Sequence, residues 1–151
     1  ITLLKSGKNP GTECDMGHHE FTYALLPHAG SVAESDVIEE SVKLNLPVRA
    51  AANMAGDAFS TFLSSSDHVY FDAIKKAEDG DGIIVRLYEV NNSRTPVTLA
   101  SAGKLCEALE TDLLENPVEE RKLEMTDHTV SFTIKPYEIL TLRLQMKGSQ
   151  K

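Results

Sequence analysis

The sequence predicts a mainly β protein, an antiparallel β-sandwich of about eight to ten strands with one short helix at about 32–44. Three observations carry that expectation. Short apolar runs recur along most of the chain and are parted by turn residues at intervals of roughly 8–12, the spacing of strands that reverse direction repeatedly. The stretch DGDG, Asp79 to Gly82, stands between two such runs, and glycine and aspartate tolerate the positive φ of a tight hairpin. Near the C-terminus Val130, Phe132 and Ile134, then Leu140, Leu142 and Leu144, recur at period two, so each run has one face to bury.

Taken in order, GKNPG at Gly7 to Gly11 reads as a turn, and Phe21, Tyr23 and Leu25 at period two predict a strand that Pro27 ends or bends. In SVAESDVIEESVKLN, Ser31 and Glu34 form a capping-box pattern, Val37, Ile38, Ser41 and Val42 share a helical face, and the acids from Glu34 to Glu40 make a solvated face. After Pro47 the runs VRAAA, STFLSSS and HVYFDAIKKA read as short strands. Beyond DGDG, Ile83, Val85 and Leu87 face one side and Ile84, Arg86 and Tyr88 the other; both sides are largely apolar, as in a strand covered by two layers. NNSRT turns the chain into PVTLA. LCEALETDLLE satisfies both helix and strand patterns, since Leu105, Leu109 and Leu113 match a helix face. Pro136 parts the last two strands. Without an internal repeat or low-complexity linker, residues 1–151 are expected to form a single β-sandwich domain.

Composition narrows the function classes. A formal charge of −8, from 15 Lys+Arg against 23 Asp+Glu, opposes binding to nucleic acid or an anionic membrane surface. No apolar run approaches the ~20 residues of a spanning helix. Cys14 and Cys106 form no ligand spacing, so neither a disulfide framework nor a zinc knuckle is indicated, and a cytoplasmic location is expected. The chain starts at Ile1 and enters an apolar stretch at once, which suggests a C-terminal fragment of a longer protein.

Several ordered blocks carry a resemblance. LLKSGKNPGTECDMGHHEFTYALLPHAG resembles the start of the C-terminal region of bacterial glycoside hydrolase family 38 α-mannosidases, through Asp15, Gly17, His19, Phe21, Thr22, Tyr23, Leu25, Pro27, His28, Ala29 and Gly30. DGDGIIVRLYEV, ETDLLE and IKPYEILTLRL resemble later blocks of that region, so the likeness runs from about Leu3 to Leu144. Met16 and His18 depart from it, and the stretch from Ala50 to Lys76 matches only loosely. The resemblance implies a large retaining, zinc-dependent enzyme that hydrolyses α-mannosides with two carboxyl groups flanking the sugar. It also places the nucleophile, the acid/base and the zinc ligands upstream, so no residue here inherits a catalytic or metal role. The isolated fragment is expected to be inactive.

The reactive-looking residues have competing readings. HHEFT is not HExxH, and on a strand His18 shares a face with Glu20 while His19 shares the other with Phe21 and Tyr23, too few ligands for a metal. The favoured reading makes His19 and His28 hydrogen-bonded residues that pin a strand and a turn; the sharper one lets Asp15, His18, His19, Glu20, His28 and Arg86 face a catalytic domain and shape a substrate cleft or interface. Arg86 in an apolar strand must be paired or reach outward, and an ion pair is favoured over sugar binding. Asp79 and Asp81 do not complete a calcium loop and read as hairpin chemistry. Asn91-Asn92-Ser93 is a sequon that reads as a turn, and Cys106 as a buried small apolar residue.

The function expected on this footing is that of an accessory domain of an α-mannosidase, needing no cofactor of its own while the parent's catalytic domain holds zinc. Its partners would be that catalytic domain and mannose-containing saccharides. The alternative is an autonomous carbohydrate-binding module or an oligomerisation domain that self-associates through an exposed former interface. The absence of tryptophan weighs against a module built on an aromatic platform.

Overall fold

The computed structural model describes residues 4–5, 7, 9–13, 16–46, 60–118 and 121–147. The VRAAA run, Cys14 and Asp15 lie outside the described residues. By its internal contacts the chain divides into two compact units, Ile1–Val48 and Arg49–Lys151.

In the first unit the strand expected at Phe21, Tyr23 and Leu25 does not form: residues 18–28 are irregular, and these three side chains are 50%, 61% and 74% exposed. Alternation yields a strand only where a neighbour satisfies the backbone, and none of this unit's described residues is in a strand. The capping pair does form, because Glu34 Oε2 accepts from the Ser31 amide at 3.0 Å and from Ser31 Oγ at 2.9 Å. It closes only a 3₁₀ turn, Val32–Glu34; Ser35 is extended, and its hydroxyl donates back to the Val32 carbonyl at 2.8 Å, diverting the backbone from a continuous helix. The expected helix at 32–44 is therefore a turn followed by α1, Val37–Asn45. On α1, Val37, Ile38 and Val42 are half-buried while Ser41 is exposed. Lys43 lies 2.8 Å from Glu39 and 2.7 Å from Glu40, and hydrogen bonding to those carboxylates raises its pKa.

The second unit is the β-sandwich. Its strands are β1 (Phe62–Ser64), β2 (Val69–Lys76), β3 (Ile83–Glu89), β4 (Thr95–Ser101), β5 (Leu105–Thr111), β6 (Glu124–Met125), β7 (Thr129–Ile134) and β8 (Ile139–Met146). They form two four-stranded sheets, β1-β4-β7-β6 and β2-β3-β8-β5, in which every pairing is antiparallel. Eight described strands meet the lower end of the expected number.

Local chemistry explains the connections. DGDG closes the β2–β3 hairpin with Gly80 at φ 83° and Gly82 at φ 94°. At Gly82 a Cβ would also come within 2.9 Å of the Leu144 carbonyl oxygen, so this turn needs glycine twice over. The ambiguous LCEALETDLLE resolves into β5 and a following turn, because β8 offers it a ladder from Leu105 to Thr111 that a helix would forgo. Both β2 and β5 are edge strands, and each carries a register shift, at Asp72 and at Cys106.

The core lies between the sheets. Phe62, Val97, Leu99, Val130, Phe132 and Ile134 from one meet Val69, Val85, Leu87, Leu105, Leu140, Leu142 and Leu144 from the other. At roughly 1.5–3 kcal/mol for each fully buried aliphatic side chain, this layer dominates the unit's stability. Ile84 points away from that core and is nonetheless 0% exposed. Its register neighbours Lys75 and Arg143 both hold Glu115, which places the 112–117 loop over it. The expectation that β3 is covered on both faces thus holds through a loop, which acts as the second layer.

Candidate functional site

Three buried or nearly buried ionic groups organise the loops of the sandwich. Glu89, 3% exposed at the end of β3, accepts at Oε1 from the Asn91 amide (2.8 Å), the Ser93 amide (3.2 Å) and Ser93 Oγ (3.1 Å). Its Oε2 accepts from the Tyr137 amide at 2.9 Å. Burial alone would push this carboxyl up, but the backbone donors of Tyr137, Asn91 and Ser93 outweigh it and hold its pKa below the ordinary value. The two turns it joins contain Asn92 at φ 53° and Tyr137 at φ 54°, a conformation costly for side-chain-bearing residues that these charge-assisted bonds offset.

Glu115, 6% exposed, takes Lys75 Nζ at 2.8 Å on one oxygen and the Glu78 amide at 2.8 Å on the other. Lys75 also pairs with Glu78. The Lys75 ammonium, followed by the Glu78 amide, depresses the Glu115 pKa. Arg143 joins the same cluster, donating to Asp79 at 2.7 Å and to the Glu115 carbonyl at 3.3 Å. Arg121 forms the third knot, with Nε 3.0 Å from Glu110, Nη2 2.6 Å from Glu138 and Nη1 on the Thr133 carbonyl.

The residues singled out from the sequence are distributed over both units. His18, His19 and Glu20 are exposed on the irregular segment of the first unit, and Asp15 lies outside the described residues. His28 is exposed too, its Nδ1 3.4 Å from the neighbouring Ala29 carbonyl oxygen at the bend after Pro27, while the strand expected there is not formed. Arg86 sits on β3 of the sandwich. Its Nε donates to Thr141 Oγ1 at 3.2 Å and Nη2 to the Leu113 carbonyl at 3.3 Å, while Nη1 stands 4.0 Å from Asp72. Tyr70 and Tyr88 pair across β2 and β3, stacked with ring centroids 6.0 Å apart.

Other expectations resolve plainly. Asp79 and Asp81 serve the hairpin: Asp79 accepts from the Asp81 amide at 2.9 Å, and Asp81 from Gln145 Nε2 at 3.0 Å. Asn91 to Ser93 is the turn held by Glu89. Cys106 is a correction, since it is exposed and not a buried apolar residue. As the residue after buried Leu105 it takes the opposite, outer face of edge strand β5, and the register shift there leaves it without a register partner on β8. Among the described residues, no group of three or more His, Cys, Asp or Glu side chains is placed to hold a metal ion. No described helix is long and apolar enough to cross a membrane.

The sequence pattern missed Glu89, Glu115 and Arg121. For Glu89 a signal existed, an acid closing an apolar strand one residue short of Asn91-Asn92-Ser93, where amides converge. The partners of Glu115 and Arg121 are brought in from strands distant in sequence, and nothing local marks them.

Two sheets of this topology are common to many proteins, so the fold alone does not place the chain. Residues 68–142 match the glycosyl hydrolases family 38 C-terminal beta sandwich domain. The sandwich belongs to family 38. Relatives similar to nearly the whole chain agree: Alpha-mannosidase 2C1 of Homo sapiens is 33% identical over 153 residues, covering 97% of this chain and 15% of that protein. The Mus musculus Alpha-mannosidase 2C1 is 36% identical over 98% of the chain and 15% of its own length. Alpha-mannosidase G of Dictyostelium discoideum is 35% identical over 95% of the chain and 14% of its own. The chain thus spans about one seventh of the relatives it matches. The matched family 38 segment runs from the residue before β2 into β8 and so contains the Glu89, Glu115 and Arg121 knots.

Proposed function

We propose that this chain is the C-terminal accessory domain of a retaining, zinc-dependent α-mannosidase, which packs against a catalytic body elsewhere in the same polypeptide and helps to form its substrate cleft. One observation carries this reading: the likeness to α-mannosidases covers 95–98% of the chain but only 14–15% of those proteins. On this reading the zinc, and the carboxyl pair that retaining hydrolysis requires, are supplied by the remainder of the polypeptide. The exposed Phe21, Tyr23 and Leu25, with His18, His19, Glu20 and His28 beside them, are the surface this reading assigns to the catalytic body, together with Asp15.

Two assays test it. The isolated chain, supplied with zinc and an aryl α-mannoside, should give no turnover above buffer; turnover would overturn the proposal. In the full-length enzyme, Asp15→Ala and His19→Ala should raise KM or lower thermal stability. If both variants match the parent in kinetics and melting, the assignment of this surface fails.

A further inference from the structure

The outer face of the β2-β3-β8-β5 sheet carries an apolar surface left open to solvent. Tyr88 and Ile139 are register partners on β3 and β8, and both lie on that face, since their neighbours Leu87 and Leu140 enter the core. Tyr88 is half-buried and stacked with Tyr70, whereas Ile139 is exposed. Two residues before Tyr88 and two after Ile139 stand the partners Arg86 and Thr141. There the 112–117 loop meets the sheet, because the Leu113 carbonyl accepts from Arg86 Nη2 at 3.3 Å. The side chains of Leu113 and Leu114 are exposed, Leu114 at 82%. Tyr137, exposed in the turn that leads into β8, precedes Ile139 by two.

The two leucines are held out by design of the loop. Asp112 Oδ1 accepts from the Leu114 amide at 2.8 Å and from the Asn116 amide at 2.9 Å, and its Oδ2 from Asn116 Nδ2 at 3.0 Å. Glu115 stands at φ 70°, a costly conformation for a residue with a side chain. It is held there by Lys75 and the Glu78 amide on its carboxylate and by Arg143 on its carbonyl. Asp112, Lys75, Arg86 and Arg143 thus fix a turn that shows two leucines to water, which costs hydrophobic free energy and recovers none within the sandwich. An apolar tip already fixed in place loses little conformational entropy when a partner covers it.

We propose that Tyr88, Leu113, Leu114, Tyr137 and Ile139 form the surface by which the sandwich docks on the catalytic body of the same polypeptide, against an apolar face of that body. This deepens the accessory-domain reading and rests on it, naming the contact within the sandwich where that reading named residues of the first unit alone. Two arguments select the tethered body over a second copy of the chain. The patch exposes on the order of a few hundred Å², short of the ~800 Å² that each partner of a stable free complex buries. A body joined through the chain acts at an effective concentration on the order of millimolar, for which a smaller contact suffices. The formal charge of −8 also sets two copies against each other, while the patch itself carries no charged side chain. The relatives supply the body's size, since this chain covers only 14–15% of their length.

The experiment is hydroxyl-radical footprinting of the full-length enzyme, read by mass spectrometry, with Leu63 as the internal reference. Leu63 is 58% exposed and, as the residue after core Phe62 on β1, lies on the outer face of the other sheet. By exposure in the sandwich alone it should label less than Leu114. Docking reverses the order: Leu114 should label several-fold less than Leu63, with Tyr137 and Ile139 protected alongside it. Leu114→Asp alters a side chain that the sandwich leaves exposed, so the sandwich still folds, and labelling of Tyr137 and Ile139 should rise several-fold. Leu114 labelled as much as Leu63 or more, or protection of Tyr137 and Ile139 unmoved by Leu114→Asp, would overturn the docking surface. Protection lost on dilution would give the patch to a second copy and overturn it as well. The Asp15 and His19 variants do not probe this face, so the docking surface can fail while the accessory-domain reading stands; turnover by the isolated chain would remove both.

Discussion

Glu89 shows how much one side chain settles in this sandwich. A carboxylate at 3% exposure is tolerable only because four donors reach it, three of them backbone amides. Replacing it with Gln turns one oxygen into a donor facing a donor, and should cost about 2–3 kcal/mol in urea unfolding at neutral pH. The sign of the pH dependence follows from its lowered pKa. The stabilisation is fully present above the ordinary carboxylate value of 4.5 and is lost as pH falls through the depressed folded value. Glu89→Gln should therefore lower stability at pH 7 and flatten the decline below about pH 4.5. A variant that declines as steeply in acid as the parent would contradict this assignment.

At the scale of elements, the β2–β3 hairpin and the Arg121 knot make separable predictions. Gly82→Ala forces a side chain to φ 94° and sets its Cβ 2.9 Å from the Leu144 carbonyl oxygen, so strand β8 must retreat from the turn. A loss of about 2 kcal/mol or more is expected in chemical denaturation, against the few tenths usual for an exposed loop change. Arg121, 11% exposed, joins β5 through Glu110 to the β7–β8 turn through Glu138. Arg121→Ala leaves the nearly buried Glu110 without its cation and Glu138 with only Lys135 at 3.7 Å, and should cost about 3 kcal/mol. Combining Arg121→Met with Glu110→Leu should recover part of that loss. Strict additivity of the two changes in a double-mutant cycle would argue against the knot.

For the whole molecule, the two units differ in what holds them. Among the described residues, every fully buried side chain belongs to the sandwich, and none in the first unit is buried. Leu142→Ala, which empties part of the inter-sheet layer, should destabilise the sandwich by about 2–5 kcal/mol, read as a lowered urea midpoint. Amide hydrogen exchange should separate the units as well: the amides of β3 and β8 should open only with global unfolding, while those of α1 exchange far sooner. Equal protection in α1 and β8 would show that the first unit has a core comparable to the sandwich.

The sequence by itself determined the fold class, the DGDG hairpin and most strands of the sandwich. These are set by period-two burial and by turn residues, signals that lie within about ten positions of one another. It also carried the resemblance to family 38, because ordered blocks survive in a linear pattern. Tertiary structure alone decided that LCEALETDLLE is a strand and that Phe21, Tyr23 and Leu25 are not, since a β-ladder depends on a neighbour that local sequence does not name. It alone placed the 112–117 loop over Ile84, paired Glu115 with Lys75, and brought Asp72 to Arg86 through a shifted register. Each of those contacts joins residues 14 to 40 positions apart on different strands or loops, and only the folded chain fixes such distances.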